Sequence, residues 1–336
     1  MFRSGKLPSY WLLAALLFAQ ILASASGQVR TDPPSPASPS IESLSLSSEE
    51  ARQLDQAVKL RDYPRAEKLL LSEIDKDPHS PRSAQLLAYI GSIYFLDQDF
   101  LNAAVAWKKS QVIAPLNPSL RFSLAMAYIR IGHPDWGRSE LKSLAMEHPA
   151  DALYPYWLGR LDYDAQNYDG AIHYFQQALV LDPAMARAYD NLGLCYAYKN
   201  DSTHAIENYQ KAIEADRKSP NPSPWPHLNL ALSLQLLNRM DEAETQFREA
   251  IRLDPKLAPA HFRLGNLLED RGRSDAAIPE LKEAAHLDSS YAEPHFSLAR
   301  IYRKAGQTSA ADEEVQIYLS LHSDSGSPAP QSSKPK

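Results

Sequence analysis

Three histidines fall at one interval: His227, His261 and His295 are each 34 residues apart. Imidazole is a common zinc ligand, so this row is the feature of the sequence nearest to a metal centre. Ligands on one ion must converge to about 2.0–2.1 Å. Equivalent helices of a stacked array lie on the order of 10 Å apart. Imidazoles at this interval therefore form a spaced row, packed near the starts of successive helices. No cofactor is expected, and a metal-dependent enzyme built on the row stands as the alternative reading. The single cysteine, Cys195, has no partner for a disulfide and reads as a small buried helix residue. Asp162 and Asp164 lie two apart in a helical stretch and face different directions, so they make no acid–base pair. No GxxxxGK[ST], HExxH, GxSxG or CxxCH is present. Asn200-Asp201-Ser202 is a glycosylation sequon in a turn between helices.

The elements that position these residues are legible in residues 152–185. This stretch reads as two amphipathic helices joined by a polar turn around Gln166 and Asn167. Gly159 and Ala171 are small and let the helices approach closely, while Leu158, Phe175 and Ala178 fall on the shared face. Pro183 stops the second helix, because it lacks an N–H donor and crowds the preceding turn.

Composition narrows the function classes. The 336-residue chain is 44% hydrophobic and 23% charged, ordinary for a globular protein. Its net charge of −6 argues against nucleic acid as a partner, since a phosphate binder needs a basic face. Residues 1–25 read as a signal peptide. Arg3 and Lys6 precede the apolar run Tyr10–Leu22, and Ala23, Ser24 and Ala25 supply small residues for cleavage. The expected destination is export, to the periplasm or outside the cell, with no stable membrane insertion after cleavage. An uncleaved membrane anchor is the alternative. Residues 26–46 form a Pro/Ser-rich linker and 322–336 a tail of the same character, both expected to be extended and disordered.

Between those ends the chain repeats. Pro115, Pro149 and Pro183 are 34 residues apart. So are the small residues Gly91, Ala125, Gly159 and Gly193, and again Ala231, Gly265 and Ala299. Second helices keep the beat with Ala103, Gly137, Ala171 and Ala205, then Ala243, Ala277 and Ala311. The proline-rich segment Arg217–Pro226 carries the extra residues between the two series and reads as a weak joint. A repeat of this length builds a stacked array in which each unit touches its neighbours.

The period, the small residue of each helix, the apolar residue before it and the closing proline resemble the tetratricopeptide repeat. The resemblance covers 47–321, as about seven repeats and a terminal helix pair. It implies an all-α fold, a right-handed α-solenoid of stacked helix-turn-helix units. It further implies that first helices line a concave groove that takes a protein or peptide. Inward-facing positions include Phe95, Phe122, Met126, Arg130, Tyr156, Arg160, Tyr163 and Tyr198, the candidate partner-binding residues. Farther along, Asn266, Glu269, Asp270, Arg300, Arg303 and Lys304 make the same face mixed in charge. Ala88, Phe122, Tyr156 and Asp190 stand where the family's chaperone-binding members place a lysine, so that carboxylate clamp is not expected. The resulting expectation is a non-enzymatic interaction scaffold outside the cytoplasm, assisting assembly of a cell-envelope machine. A self-associating structural solenoid is a further alternative.

Overall fold

The computed structural model describes residues 41–324. Among them are sixteen α-helices, a turn of 3-10 helix at Ile41–Leu44 and no strand. The described residues divide into two compact units, 41–183 and 184–324.

The first unit contains α1 (Ser48–Lys59), α2 (Tyr63–Ile74), α3 (Pro81–Leu96), α4 (Phe100–Ile113), α5 (Pro118–Arg130), α6 (Pro134–Glu147), α7 (Leu153–Asp164) and α8 (Tyr168–Leu181). Each helix packs on the next. Local chemistry sets the starts. Ser47 and Glu50 close a reciprocal capping box on α1. Ser80, Asn117 and Asn167 accept from the backbone N–H groups of Ser83, Leu120 and Gly170. Pro81, Pro118 and Pro134 sit in first turns, where an N–H has no intrahelical partner to lose.

The second unit contains α9 (Ala186–Tyr198), α10 (Ser202–Asp216), α11 (Trp225–Leu236), α12 (Met240–Leu253), α13 (Ala258–Asp270), α14 (Ser274–Leu287), α15 (Glu293–Lys304) and α16 (Thr308–Asp324). These too form successive packed helix pairs. Each unit is thus the all-α stack of helix-turn-helix repeats that the periodicity implies.

The helix pairs close on a seam of small against large. A Cβ added to Gly91 would come within 2.5 Å of Trp107 Nε1; one on Gly159 within 2.8 Å of Phe175; one on Gly193 within 2.5 Å of Tyr209. Trp107, Phe175 and Tyr209 are fully buried, and the Trp107 indole N–H donates to the Ala88 carbonyl at 2.9 Å.

The turn inside each pair also has a rule. Gln98, Gln166, Asn200 and Asn238 have φ between 58° and 63°, and Gly132, Gly272 and Gly306 have φ between 72° and 83°. All seven occupy one place of the repeat, where the chain must pass through the left-handed region. The periodicity of apolar residues carries no trace of this demand.

Three boundaries differ from expectation. The linker yields early, because Ile41–Leu44 is helical and Leu44 is fully buried in a cluster with Leu54, Leu70 and Leu86. Helix α16 runs on to Asp324, into the expected tail. The segment Arg217–Pro226 is not a break in packing. Helices α10 and α11 pack against each other across it, the Ser223 N–H donates to the Asp216 carboxylate, and Asn229 Nδ2 donates to Asp190 Oδ1 at 2.9 Å. The division between compact units lies one repeat earlier, after Pro183. The prolines lengthen the connection, but packing between the helices on either side does not depend on its length. Among the described residues no helix is long and apolar enough to cross a membrane.

A left-handed non-glycine residue costs about 1–2 kcal/mol, part of which glycine recovers at the expense of a more flexible unfolded chain. Gln98→Gly and Gln166→Gly are each expected to stabilise the protein by about 0.5–1 kcal/mol, and Gly132→Ala to destabilise it. Urea denaturation of the full chain, followed by circular dichroism, checks the order. Gly159→Leu should lose about 1–3 kcal/mol by overpacking the seam against Phe175.

Candidate functional site

The histidine row resolves into separate latches. His227 Nδ1 lies 2.7 Å from Gln246 Oε1, His261 Nδ1 2.7 Å from Glu280 Oε2, and His295 Nδ1 2.6 Å from Glu314 Oε2. Each partner stands 19 residues later, on the second helix of the same repeat. The metal-centre alternative is therefore corrected: each imidazole is spent on its own repeat. Among the described residues no group of three or more His, Cys, Asp or Glu is placed to hold a metal ion. Arg121 fills the equivalent place in the first unit, with Nε 3.3 Å from Glu140 Oε2 and Nη1 2.6 Å from Glu147 Oε2.

His261 faces an acceptor at each ring nitrogen. Its Nε2 lies 3.1 Å from the Pro255 carbonyl, which only accepts, and its Nδ1 faces the Glu280 carboxylate. This arrangement favours the doubly protonated ring over the neutral one. The Glu280 hydrogen bond raises the pKa of His261 above its ordinary value, against the opposing effect of burial.

The other reactive types are also committed. Cys195 is buried. Asp162 takes Arg138 Nη2 at 2.8 Å, and Asp164 lies 3.6 Å from Arg160 Nη2.

The aromatic groove anchors are packing residues. Phe95, on α3, is buried with its ring 5.2 Å from Phe100 and 5.7 Å from Trp107. Phe122, on α5, is buried at 6.2 Å from both Tyr154 and Trp157 on α7. Tyr156 is wholly buried, 5.8 Å from Phe175, and Tyr163 is buried, 6.0 Å from Tyr168. Met126 and Arg160 are buried as well, the Arg160 guanidinium carbon 5.8 Å from the Tyr163 ring centre. Arg130 is exposed, 5.6 Å from the Phe100 ring centre, and Tyr198 is half-buried. The expectation that these side chains line an open groove is thus corrected for six of the eight. A first helix has neighbours on both sides, and a large ring on its inner face reaches the next first helix, as Phe122 reaches α7.

In the second unit the first-helix face is built from polar bridges. Asn229 on α11 donates to Asp190 on α9, and Ser297 Oγ on α15 donates to Asn266 Oδ1 on α13 at 2.7 Å. The Glu269 side chain is 2% exposed and takes Arg300 Nε and Lys304 Nζ, each at 3.0 Å. Burial alone would push the Glu269 carboxyl up, but the hydrogen bonds from Arg300 and Lys304 hold it below the usual range. Loss of water around the neighbouring Asp270 pushes its carboxyl up, against the pull of Arg300. Sequence reasoning placed these residues on the inner face but ranked them behind the aromatics. The missed signal is the spacing of opposite charges, 31 residues from Glu269 to Arg300 and 35 to Lys304, one repeat less or more a fraction of a helical turn.

The latch gives a pH prediction. A histidine whose folded pKa lies above its unfolded value of about 6.5 adds stability that is complete below that value and is lost as pH rises through the folded pKa. The stability advantage of the native protein over Glu280→Gln should therefore shrink as pH rises above about 6.5. Denaturant midpoints of both proteins across that range check this, and a constant difference would mean that His261 is not held charged.

A sequence-family model for the tetratricopeptide repeat matches residues 52–118, 156–220, 228–292 and 262–328, more than half of the chain. A Hordeum vulgare protein, the probable UDP-N-acetylglucosamine–peptide N-acetylglucosaminyltransferase SPINDLY, is 31% identical over 98 residues, covering 28% of this chain. The chain spans 10% of the length of that relative. Among solved structures, a tetratricopeptide repeat protein from Parabacteroides merdae superposes with a TM-score of 0.57 at 16% identity, covering 83% of this chain and 99% of its own. Yeast Tom70 superposes with a TM-score of 0.55 at 20% identity, covering 94% and 69% respectively. These likenesses concern the fold. With its repeats matched at both ends and its helix pairs closed on the same small-to-large seam, the chain belongs to the tetratricopeptide repeat family.

Proposed function

We propose that this protein is a non-enzymatic scaffold that holds a protein or peptide segment on the first-helix face of residues 184–324. Tetratricopeptide repeat proteins are in general protein-interaction scaffolds. The observation that carries the reading here is the polar bed on that face. Glu269 fixes the heads of Arg300 and Lys304 while leaving their side chains 43% and 67% exposed. Phe296, Arg300 and Arg303 stand at i, i+4 and i+7 of α15, one face of a helix, and all three are exposed. An aromatic ring beside arginines is the side-chain set that dominates binding hot spots. Such a surface suits a segment that carries carboxylates for the arginines and an apolar residue for Phe296.

The working compartment belongs to the same proposal. Residues 1–25 lie outside the described residues; their charged, apolar, small-residue order supports export with cleavage after Ala25. Removing Arg3 and Lys6 takes the net charge from −6 to −8, which further disfavours nucleic acid. Assistance in assembling a cell-envelope machine follows as the role of an exported scaffold.

Two experiments test this. Chemical cross-linking in the native cell, with full-length protein as bait, should capture a partner that Phe296→Ser combined with Arg303→Glu loses at least about tenfold. Both residues are exposed, so the variant should unfold at the native temperature; unchanged capture by a folded variant would exclude this face. Amino-terminal sequencing of the native protein should begin at Ser26. An intact Met1 in a soluble cytosolic fraction would remove the export claim.

A further inference from the structure

The second helices of residues 41–183 carry an apolar column that the described residues leave uncovered. Val112 on α4, Met146 on α6 and Val180 on α8 occupy one place of successive repeats and are 86%, 77% and 80% exposed. In residues 184–324 the same place holds Glu214, Arg252 and His286, the polar types expected at such exposure.

Beside Met146 and Val180 opens a cavity of about 570 Å³, which Pro155, Leu158, Tyr174 and Leu181 also line. The cavity has a local cause. Pro155 and Tyr174 stand at the latch place, where Arg121 meets Glu140 and His261 meets Glu280. Proline is too short to reach across and has no donor to offer, so the space that a latch fills elsewhere stays open.

Two lysines flank the column. Lys108 and Lys142 stand four residues before Val112 and Met146 on the same helices, hence on the same face, and both are exposed. Lys108 bonds to a neutral group, Gln111, at 2.8 Å. Of the carboxylates nearby, Glu147 is paired with Arg121 at 2.6 Å, while Asp151, at the rim of the cavity, accepts from the Leu153 N–H at 2.9 Å and keeps its charge, so the two lysines outnumber the one carboxylate without a cationic partner.

We propose that this column docks a segment of another protein in which apolar residues are flanked by acidic ones, with one large apolar side chain seated in the cavity. The volume lies within the range of sites that enclose an organic ligand. A small molecule confined to the cavity would leave Val112 bare. A flat bilayer presents nothing that enters a concavity. The lysines select an acidic segment over a basic one. This surface is separate from the first-helix face of residues 184–324, so either can fail without the other.

The test uses three fluorescent peptides of about 18 residues, titrated onto the full chain by anisotropy: an amphipathic Leu/Glu helix, its Leu/Lys counterpart, and a Ser/Glu peptide without apolar residues. The Leu/Glu peptide should bind at least about tenfold more tightly than either control. Met146→Glu with Val180→Glu should abolish that advantage. Lys108→Glu with Lys142→Glu should transfer the preference to the Leu/Lys peptide, which nonspecific stickiness would not do. Circular dichroism confirms that these exposed variants fold. Equal binding of Leu/Glu and Leu/Lys peptides, or unchanged binding in the Met146/Val180 variant, overturns the proposal. So does a wild-type dimer in sedimentation that this variant disperses, which assigns the column to a second copy. Binding to phosphatidylserine vesicles with no peptide binding overturns it in favour of a membrane surface.

Discussion

The structure depends on one steric arrangement, a small residue on a first helix facing a large one 16 residues later on its partner. Gly91 faces Trp107, Gly159 faces Phe175, Gly193 faces Tyr209 and Gly265 faces Leu281, each so closely that an added Cβ would collide. Leu141 and Phe247 stand at the same remove from Ala125 and Ala231 and are likewise fully buried. The sizes are not strictly inverse, since Gly265 meets a leucine and Ala231 precedes a phenylalanine. What is constant is the absence of a side chain wide enough to hold the helices apart. The turn between them must then be short, and the left-handed residue at the second of its three positions is the consequence of that shortness.

With the seam fixed, the place that joins the start of a first helix to its second helix is free to vary in chemistry. It is a guanidinium on carboxylates at Arg121, an imidazole on a carboxylate at His261, and a proline beside a tyrosine at Pro155. The first two close the space between the helices and the third leaves it open. A repeat that is uniform in backbone thereby becomes non-uniform in surface, and the cavity comes from this one variable position.

The inner faces of the two units diverge for a similar reason. In residues 41–183 the first helices meet through rings, as Phe122 meets Tyr154 and Trp157, and burying them consumes the surface they would offer. In residues 184–324 the corresponding contacts are Asn229 to Asp190, Ser297 to Asn266, and Glu269 to Arg300 and Lys304. Arg300 and Lys304 hold the bridge to Glu269 and keep 43% and 67% of their side chains exposed. The polar unit is therefore the one that retains exposed, oriented groups.

The residues by themselves determined the repeat: its length of 34, its small-residue positions, its stopping prolines and its family, because sterics at a close helix contact and the missing N–H of proline act within a few residues of chain. They also marked Cys195 as packing and the histidines as a row. The tertiary structure decided what the row is for, because Gln246, Glu280 and Glu314 become partners only when the second helix folds back. It decided that Tyr156 and Tyr163 are buried, because burial counts neighbours on every side and a face read from one helix shows only its own. It decided that Arg217–Pro226 interrupts no packing, since the helices on either side meet through side chains that proline content does not touch. Periodicity reports what each repeat shares. The distinctive surfaces lie in what adjoining repeats do differently, and only their stacking brings those differences together.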